Sequence, residues 1–212
     1  VFEWMCRRHL KRQVADPTLR AALTPAFRFG CKRLLMSNDW YPALTRDTSE
    51  LVTDPISRIV PTGIELTTGK TISVDVIIAG TGFHATEPMP GIEVVGSGGR
   101  RLHREWAVEG AEAYYGAAVS GYPNLFMLLG PNTGLGHNSV VYMAEAQIEG
   151  IVKTILSAKE KGATAVNVKQ SVQDAFNRDI QQRLGHSVWQ VGGCDCWFKT
   201  TSVMNTTILP GY

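Results

Sequence analysis

Residues 125–139 read Leu-Phe-Met-Leu-Leu-Gly-Pro-Asn-Thr-Gly-Leu-Gly-His-Asn-Ser, and apolar residues then recur at helical spacing as far as Lys161. Three signals stand in a row: an apolar strand over Leu125–Leu129, a glycine-rich loop over Gly130–Asn138, and a long helix from Ser139 to Lys161. Val140, Met143, Ala144, Gln147, Ile151, Ile155 and Ala158 fall on one helical stripe, and Gly162 closes the helix. Such a unit belongs to an α/β sheet. Its loop leads into a helix N-terminus, where free N–H groups and the dipole favour an anion. Glycines 130, 134 and 136 allow a ligand close to the backbone, although a merely tight turn needs the same residues. The Lys-Ser/Thr pair of a phosphate-cradling P-loop is missing, which argues against nucleotide hydrolysis.

Upstream, Val74-Asp-Val-Ile-Ile-Ala is a second nearly continuous apolar run, as expected of a strand buried on both faces. It ends in Gly80-Thr-Gly-Phe, whose glycines predict that the backbone passes close to something. Gly80-x-Gly82 is not a dinucleotide fingerprint, because Ala85 stands where the third glycine would be and no helix pattern follows. No full G-x-G-x-x-G opens a helix anywhere in the chain. A complete pyrophosphate site is therefore beyond this chain alone.

Arg58 to Ala79 reads as three strands with turns at Thr62-Gly63 and Thr68-Gly69. Glu50 to Thr53 reads as a short strand closed by Asp54-Pro55. Residues 2–14 predict a helix with Phe2, Met5, Cys6, Leu10 and Val14 near one face, and Arg7, Arg8, Lys11 and Arg12 largely on the others. Asp16-Pro17 starts a short helix that runs to Leu23. Residues 171–184 form another helix, and the tail from Val188 to Tyr212 is Trp- and Gly-rich and irregular.

The chain has 212 residues, 44% hydrophobic and 19% charged. This is ordinary globular composition with material for a buried core. A net charge of +2 is too near neutral to make nucleic acid a main partner. The run at Val74 contains Asp75 and is far too short to span a bilayer, so no integral membrane segment is expected. The chain opens on Val1 in mid-pattern and lacks a signal peptide's order of basic, apolar and small residues, which predicts a fragment of a cytoplasmic protein. Its four cysteines do not make a disulfide framework and read as free thiols in a reducing cytosol. Five scattered histidines have no ligand spacing, so no metal is expected, and no G-x-S-x-G elbow supports hydrolase chemistry. Lys32-Arg33, just ahead of Leu34-Leu35, is either a surface pair or two cations that need an anion. Trp189 and Trp197, near Gly192-Gly193, read as pocket lining or as packing.

Seven segments, taken in order, resemble the C-terminal part of a class B flavin-dependent monooxygenase, on the Baeyer–Villiger branch. They are Gly30-Cys-Lys-Arg, Trp40-Tyr-Pro-Ala-Leu, Leu51-Val-Thr-Asp-Pro-Ile, Asp75-Val-Ile-Ile-Ala-Gly-Thr-Gly-Phe, Gly121-Tyr-Pro-Asn-Leu-Phe, Gly130-Pro-Asn-Thr-Gly-Leu-Gly-His and Gly192-Gly-Cys-Asp-Cys-Trp-Phe. The resemblance implies an α/β fold: the C-terminal portion of a Rossmann-like flavoprotein with two dinucleotide-binding domains, incomplete on its own. Residues 1–83 would finish the NADPH-binding domain, and residues 84–212 would end the FAD-binding domain. FAD and NADPH are implied as cofactors of the complete protein. The implied reaction inserts one oxygen atom from O2 into a small-molecule ketone or oxidises a soft heteroatom.

By the same resemblance, Lys32 looks like the residue that meets the 2′-phosphate of NADPH, a fit task for a compact cation. Arg33 looks like the catalytic arginine beside the flavin, where an always-charged, multi-donor group stabilises developing negative charge and holds the nicotinamide amide. Gly80, Thr81 and Gly82 resemble a cofactor-side hinge, with Gly80 where the family usually has Ala. Gly130, Pro131, Asn132 and Thr133 resemble the loop beside the isoalloxazine and ribityl chain, and Trp197 the tail residue that closes over the nicotinamide. Both pyrophosphate turns and the family's His-containing signature are absent, so the isolated chain is expected to be inactive. An alternative from another class is a non-catalytic α/β module. Its exposed sheet edges would make a homo-oligomer or pair with a missing N-terminal half.

Overall fold

The computed structural model describes residues 1–82, 89, 91–135, 139–194, 198–199 and 204–211. The chain forms two units, Val1–Ala26 with Leu34–Phe83, and Phe27–Arg33 with His84–Tyr212.

The first unit opens with α1 (Phe2–Gln13), whose apolar face is used only at its C-terminal end. Leu10 and Val14 are buried, while Phe2, Met5 and Cys6 are exposed, as are Arg7, Arg8, Lys11 and Arg12. Asp16 caps α2 (Pro17–Ala22), its carboxylate accepting from the Thr18 and Leu19 N–H groups at 3.0 and 3.2 Å. The proline at the first helical position has no N–H to leave unpaired. A short α3 (Trp40–Leu44) meets α1, with the His9 and Tyr41 rings 5.8 Å apart. Strands β1 (Ile56–Val60), β2 (Gly63–Leu66) and β3 (Thr71–Ser73) make an antiparallel sheet in that order. Both predicted turns stand at its hairpins. At Gly63 (φ +151°) only a glycine fits, because a Cβ would run into the Ile72 carbonyl.

Three predicted strands are absent. Glu50–Thr53 is irregular, and neither Val74–Ala79 nor Leu125–Leu129 joins a ladder. A strand is stabilised by pairing its N–H and C=O groups with a neighbour, and among the described residues no strand pairs with either run. The consequence for the first is exposure: Val76 is 74% and Ile78 91% exposed. Its sequence still carries the pattern of a doubly covered strand. Among the described residues no layer covers it.

The second unit contains α4 (Leu102–Glu109), α5 (Val140–Glu160), α6 (Gln170–Leu184) and a single turn α7 (Val188–Val191). Ser139 caps α5, its hydroxyl accepting from the Tyr142 N–H at 3.4 Å, and Gly162 follows the last turn at φ +64°. One apolar cluster gathers Cys31, Ile180, Leu184, Cys194, Phe198 and Ile208, and a second gathers Leu102, Ala113, Val119 and Tyr122. The expectation of four free thiols needs correction, because Cys31 and Cys194 form a disulfide across 163 residues of sequence. The contact arises from tertiary packing: the Arg28 N–H donates to the Gly192 carbonyl at 2.8 Å and draws the two segments together. Spacing along the chain holds no trace of that. Cys6 is free and exposed, and Cys196 lies outside the described residues.

Candidate functional site

The glycine-rich loop begins as a bend with left-handed backbone at Leu129 (φ +56°) and Asn132 (φ +55°). Three parts of the chain hold it. From the tail, Thr206 and Thr207 carbonyls accept from the Asn132 and Gly134 N–H groups at 2.8 and 2.7 Å. The Asn132 amide returns two bonds, donating to the Asn205 and Ile208 carbonyls at 2.8 and 3.0 Å. From the preceding loop, the Gly116 carbonyl accepts from the Gly130 N–H at 3.0 Å. From α5, Gln147 donates to the Tyr115 carbonyl at 2.7 Å and accepts from the Leu129 N–H at 2.9 Å. Gly116 (φ +62°) presses on Thr133, and no side chain fits between them. Pro131, Asn132 and Thr133 are buried by these contacts.

Beside the bend lies a cavity of about 460 Å³, walled by Tyr114, Tyr115, Leu125, Met143, Ile151 and Phe176, with Asn132, Thr133 and Gln147 also on its wall. The rings of Tyr114, Tyr115 and Phe176 lie 4.6–5.4 Å from one another, within the range of favourable aromatic pairing. The wall is almost wholly apolar, and the amides of Asn132 and Gln147 are bonded to backbone. It can hold apolar matter but carries no nucleophile–base pair. Below it, Glu112 accepts from Asn177 at 3.3 Å. Burial first, then the Asp174 and Glu109 carboxylates, pushes the Glu112 carboxyl above its usual range.

The Gly121-Tyr-Pro-Asn segment is locked separately. Arg100 forms a two-pronged pair with Glu105 at 2.7 and 2.8 Å, lies 5.3 Å over the Tyr122 ring, and fills the space beside Gly121. Burial and the Glu105 carboxylate push the Tyr122 phenol up to about 12. Gln173 accepts from the Ser120 N–H at 2.7 Å, and Asn167 accepts from the Gly121 N–H at 2.9 Å.

The sequence-predicted site residues are not all brought together. Lys32 and Arg33 are exposed at the end of the Phe27–Arg33 strap, with the Lys32 ammonium 5.1 Å over the Phe27 ring. Arg33 does not line the cavity, and among the described residues no ion pair holds it. Gly80, Thr81 and Gly82 are exposed, and nothing lies within 4 Å of where a Cβ would stand on either glycine. Among the described residues, the close passage expected there is not seen. Trp197, Gly136 and His137 lie outside the described residues. Gln147, Asn205 and Gln173 do the holding, and the sequence offered only a weak hint: polar residues on otherwise apolar stretches. Among the described residues no cluster of His, Cys, Asp and Glu could hold a metal, and no helix is long and apolar enough to cross a membrane.

No family model matches the chain. Curated relatives do. It is 44% identical over 206 residues to a Baeyer–Villiger monooxygenase of Pseudomonas aeruginosa, covering 97% of this chain and 39% of that protein. It is 36% identical over 210 residues to a Baeyer–Villiger monooxygenase of Streptomyces coelicolor, covering 99% and 40%. Among solved structures, OTEMO in complex with FAD and NADP superposes at a TM-score of 0.87 with 26% identity, covering 99% of this chain and 39% of that one. The backbone is thus that of a partial α/β flavoprotein, which accounts for the two apolar runs left without partners. The chain belongs to the Baeyer–Villiger monooxygenase family and spans about two fifths of the length of the relatives it matches.

Proposed function

We propose that this chain is the C-terminal part of an FAD- and NADPH-dependent monooxygenase that places one oxygen atom of O2 into a ketone or onto a soft heteroatom. Support comes above all from the superposition on an FAD- and NADP-bound monooxygenase over 99% of the chain. Residues 1–83 would complete the NADPH-binding domain and residues 84–212 the FAD-binding domain. Lys32 and Arg33 fit anionic groups, being adjacent, exposed and carried on a strap anchored by a buried cysteine. Lys32 would hold the 2′-phosphate of NADPH, and Arg33 would stand beside the flavin. Gly130, Pro131, Asn132 and Thr133 fit a supporting role behind a ligand, since the N–H groups of Gly130, Asn132 and Gly134 already donate within the chain. Bound FAD would supply the electron transfer and the oxygen chemistry. Gly80, Thr81, Gly82 and Trp197 are assigned to the cofactor side on the resemblance alone.

The test is a chimera in which this chain replaces the matching stretch of the Pseudomonas aeruginosa relative. Lys32→Ala should raise KM for NADPH roughly tenfold or more while leaving that for NADH unchanged, because only NADPH carries the lost charge-assisted contact. Arg33→Ala should lower substrate-dependent NADPH oxidation by roughly a hundredfold. A folded, flavin-containing chimera indifferent to both substitutions would remove these two residues from the site.

The exposure of Ile78, Leu35 (86%) and Met36 (100%) favours a second reading for the chain by itself, self-association over uncovered apolar surface. Light scattering on the purified chain decides it. A monomer at every concentration counts against association.

A further inference from the structure

We infer that Cys31 and Cys194 form a redox-set clasp that fixes the Lys32–Arg33 strap to the tail. The inference stands on packing and does not depend on what Lys32 and Arg33 bind. The two cysteines are 0% and 5% exposed, their Cα atoms are 6.1 Å apart, and they are disulfide-bonded. That separation suits a bridge without backbone movement. Phe27–Arg33 is an excursion: the chain leaves the first unit at Ala26, packs with the second, and returns at Leu34. Seven residues are too few to make a fold of their own, so the strap's position rests on what anchors it.

Several anchors lie beside the cysteines, and the half-buried Phe27 packs on the cluster around them. The Arg28 N–H donates to the Gly192 carbonyl at 2.8 Å, and the Cys31 N–H donates to the Arg28 carbonyl at 3.1 Å. Gly192 is itself packed on the cysteine: a Cβ there would stand 2.8 Å from Cys31 Sγ. Gly30, at φ +85°, turns the strap against Val188. Lys32 and Arg33 follow Cys31 directly along the chain, so the bridge lies one residue from the first cation. At the other end Cys194 closes the α7 turn onto the cluster of Ile180, Leu184, Phe198 and Ile208. The bond therefore joins the strap covalently to the core of the second unit, beside the Phe27 packing and the Arg28–Gly192 hydrogen bond.

Exchange with a monothiol of the glutathione class would open the clasp. One thiolate attacks a bridge sulfur, forming a mixed disulfide, and the other protein sulfur leaves as a thiolate and takes a proton. A second monothiol then displaces the first, leaving two protein thiols and one oxidised monothiol. Because both sulfurs are buried, attack waits on a local opening of the strap, which makes the clasp slow to open and stable between openings.

The experiment is hydrogen exchange on the whole chain, equilibrated in oxidised or reduced glutathione, with alkylation and peptide mass spectrometry reading the cysteines. The expected result is a Cys31–Cys194 peptide under oxidation. On reduction, exchange should accelerate roughly tenfold or more in peptides 27–33 and 188–194 together, with α5 unchanged. Cys194→Ser should exchange in the strap at the reduced rate under either condition. If that variant does not fold, the comparison of the two wild-type states decides alone. Alkylation of Cys31 and Cys194 themselves under oxidation, or a bridge whose reduction leaves both peptides exchanging as before, would overturn the inference.

Discussion

At the scale of the residue, Gln147 shows what holding a bend requires. Its amide satisfies one N–H and one carbonyl of partly buried backbone in the bend. Gln147→Leu keeps the volume and removes both bonds, and should cost about 1–3 kcal/mol, as the loss of two partly buried hydrogen bonds would. Chemical unfolding of the chain measures it, and a loss near zero would mean that water replaces the amide. Tyr122 gives the pH dependence. Its folded-state pKa is raised from 10.0 to about 12, so its contribution is fully present below pH 10 and is lost as pH climbs toward 12. Tyr122→Phe should flatten that alkaline fall in the unfolding midpoint. An unchanged slope would show that the phenol ionises as freely in the folded protein as in the unfolded one.

At the scale of the element, the capped helices and the hairpins were legible, while α3, α4 and α7 were not read and the apolar runs did not become strands. Asp16-Pro17, Ser139 and Gly162 act through local hydrogen bonds and local φ angles, so their signals survive whatever surrounds them. Thr62-Gly63 and Thr68-Gly69 likewise set their hairpins. Val74–Ala79 and Leu125–Leu129 depend on neighbours, and an apolar run records how a strand is covered rather than whether its cover is present. Ile78→Asp makes the distinction measurable. At 91% exposure it should change the stability of the isolated chain by less than about 0.5 kcal/mol. In the chimera, where relatives supply the remaining sequence, it should lower the yield of folded flavoprotein. A large loss in the isolated chain would instead place that side chain in a core. Lys32 and Arg33 stand exposed on the strap, which residue type allowed, and their roles rest on the resemblance. The Cys31–Cys194 bridge and the grip of Asn132 on the tail link residues 163 and more than 70 positions apart, and no periodicity reports such contacts.

At the scale of the whole molecule, the chain combines well-made local pieces with surfaces that want covering. Its bend, cavity and strap are each held by named contacts, yet among the described residues no group of side chains forms a complete catalytic constellation. That is how a part of a larger site looks. The central claim is that this chain works only as such a part, and NADPH consumption tests it most directly. The isolated chain with added FAD should consume none above the blank. The chimera built on the Pseudomonas aeruginosa relative should be yellow and consume NADPH faster when a ketone is added. Turnover by the isolated chain, or a folded and flavin-loaded chimera that never oxidises NADPH, would contradict the claim.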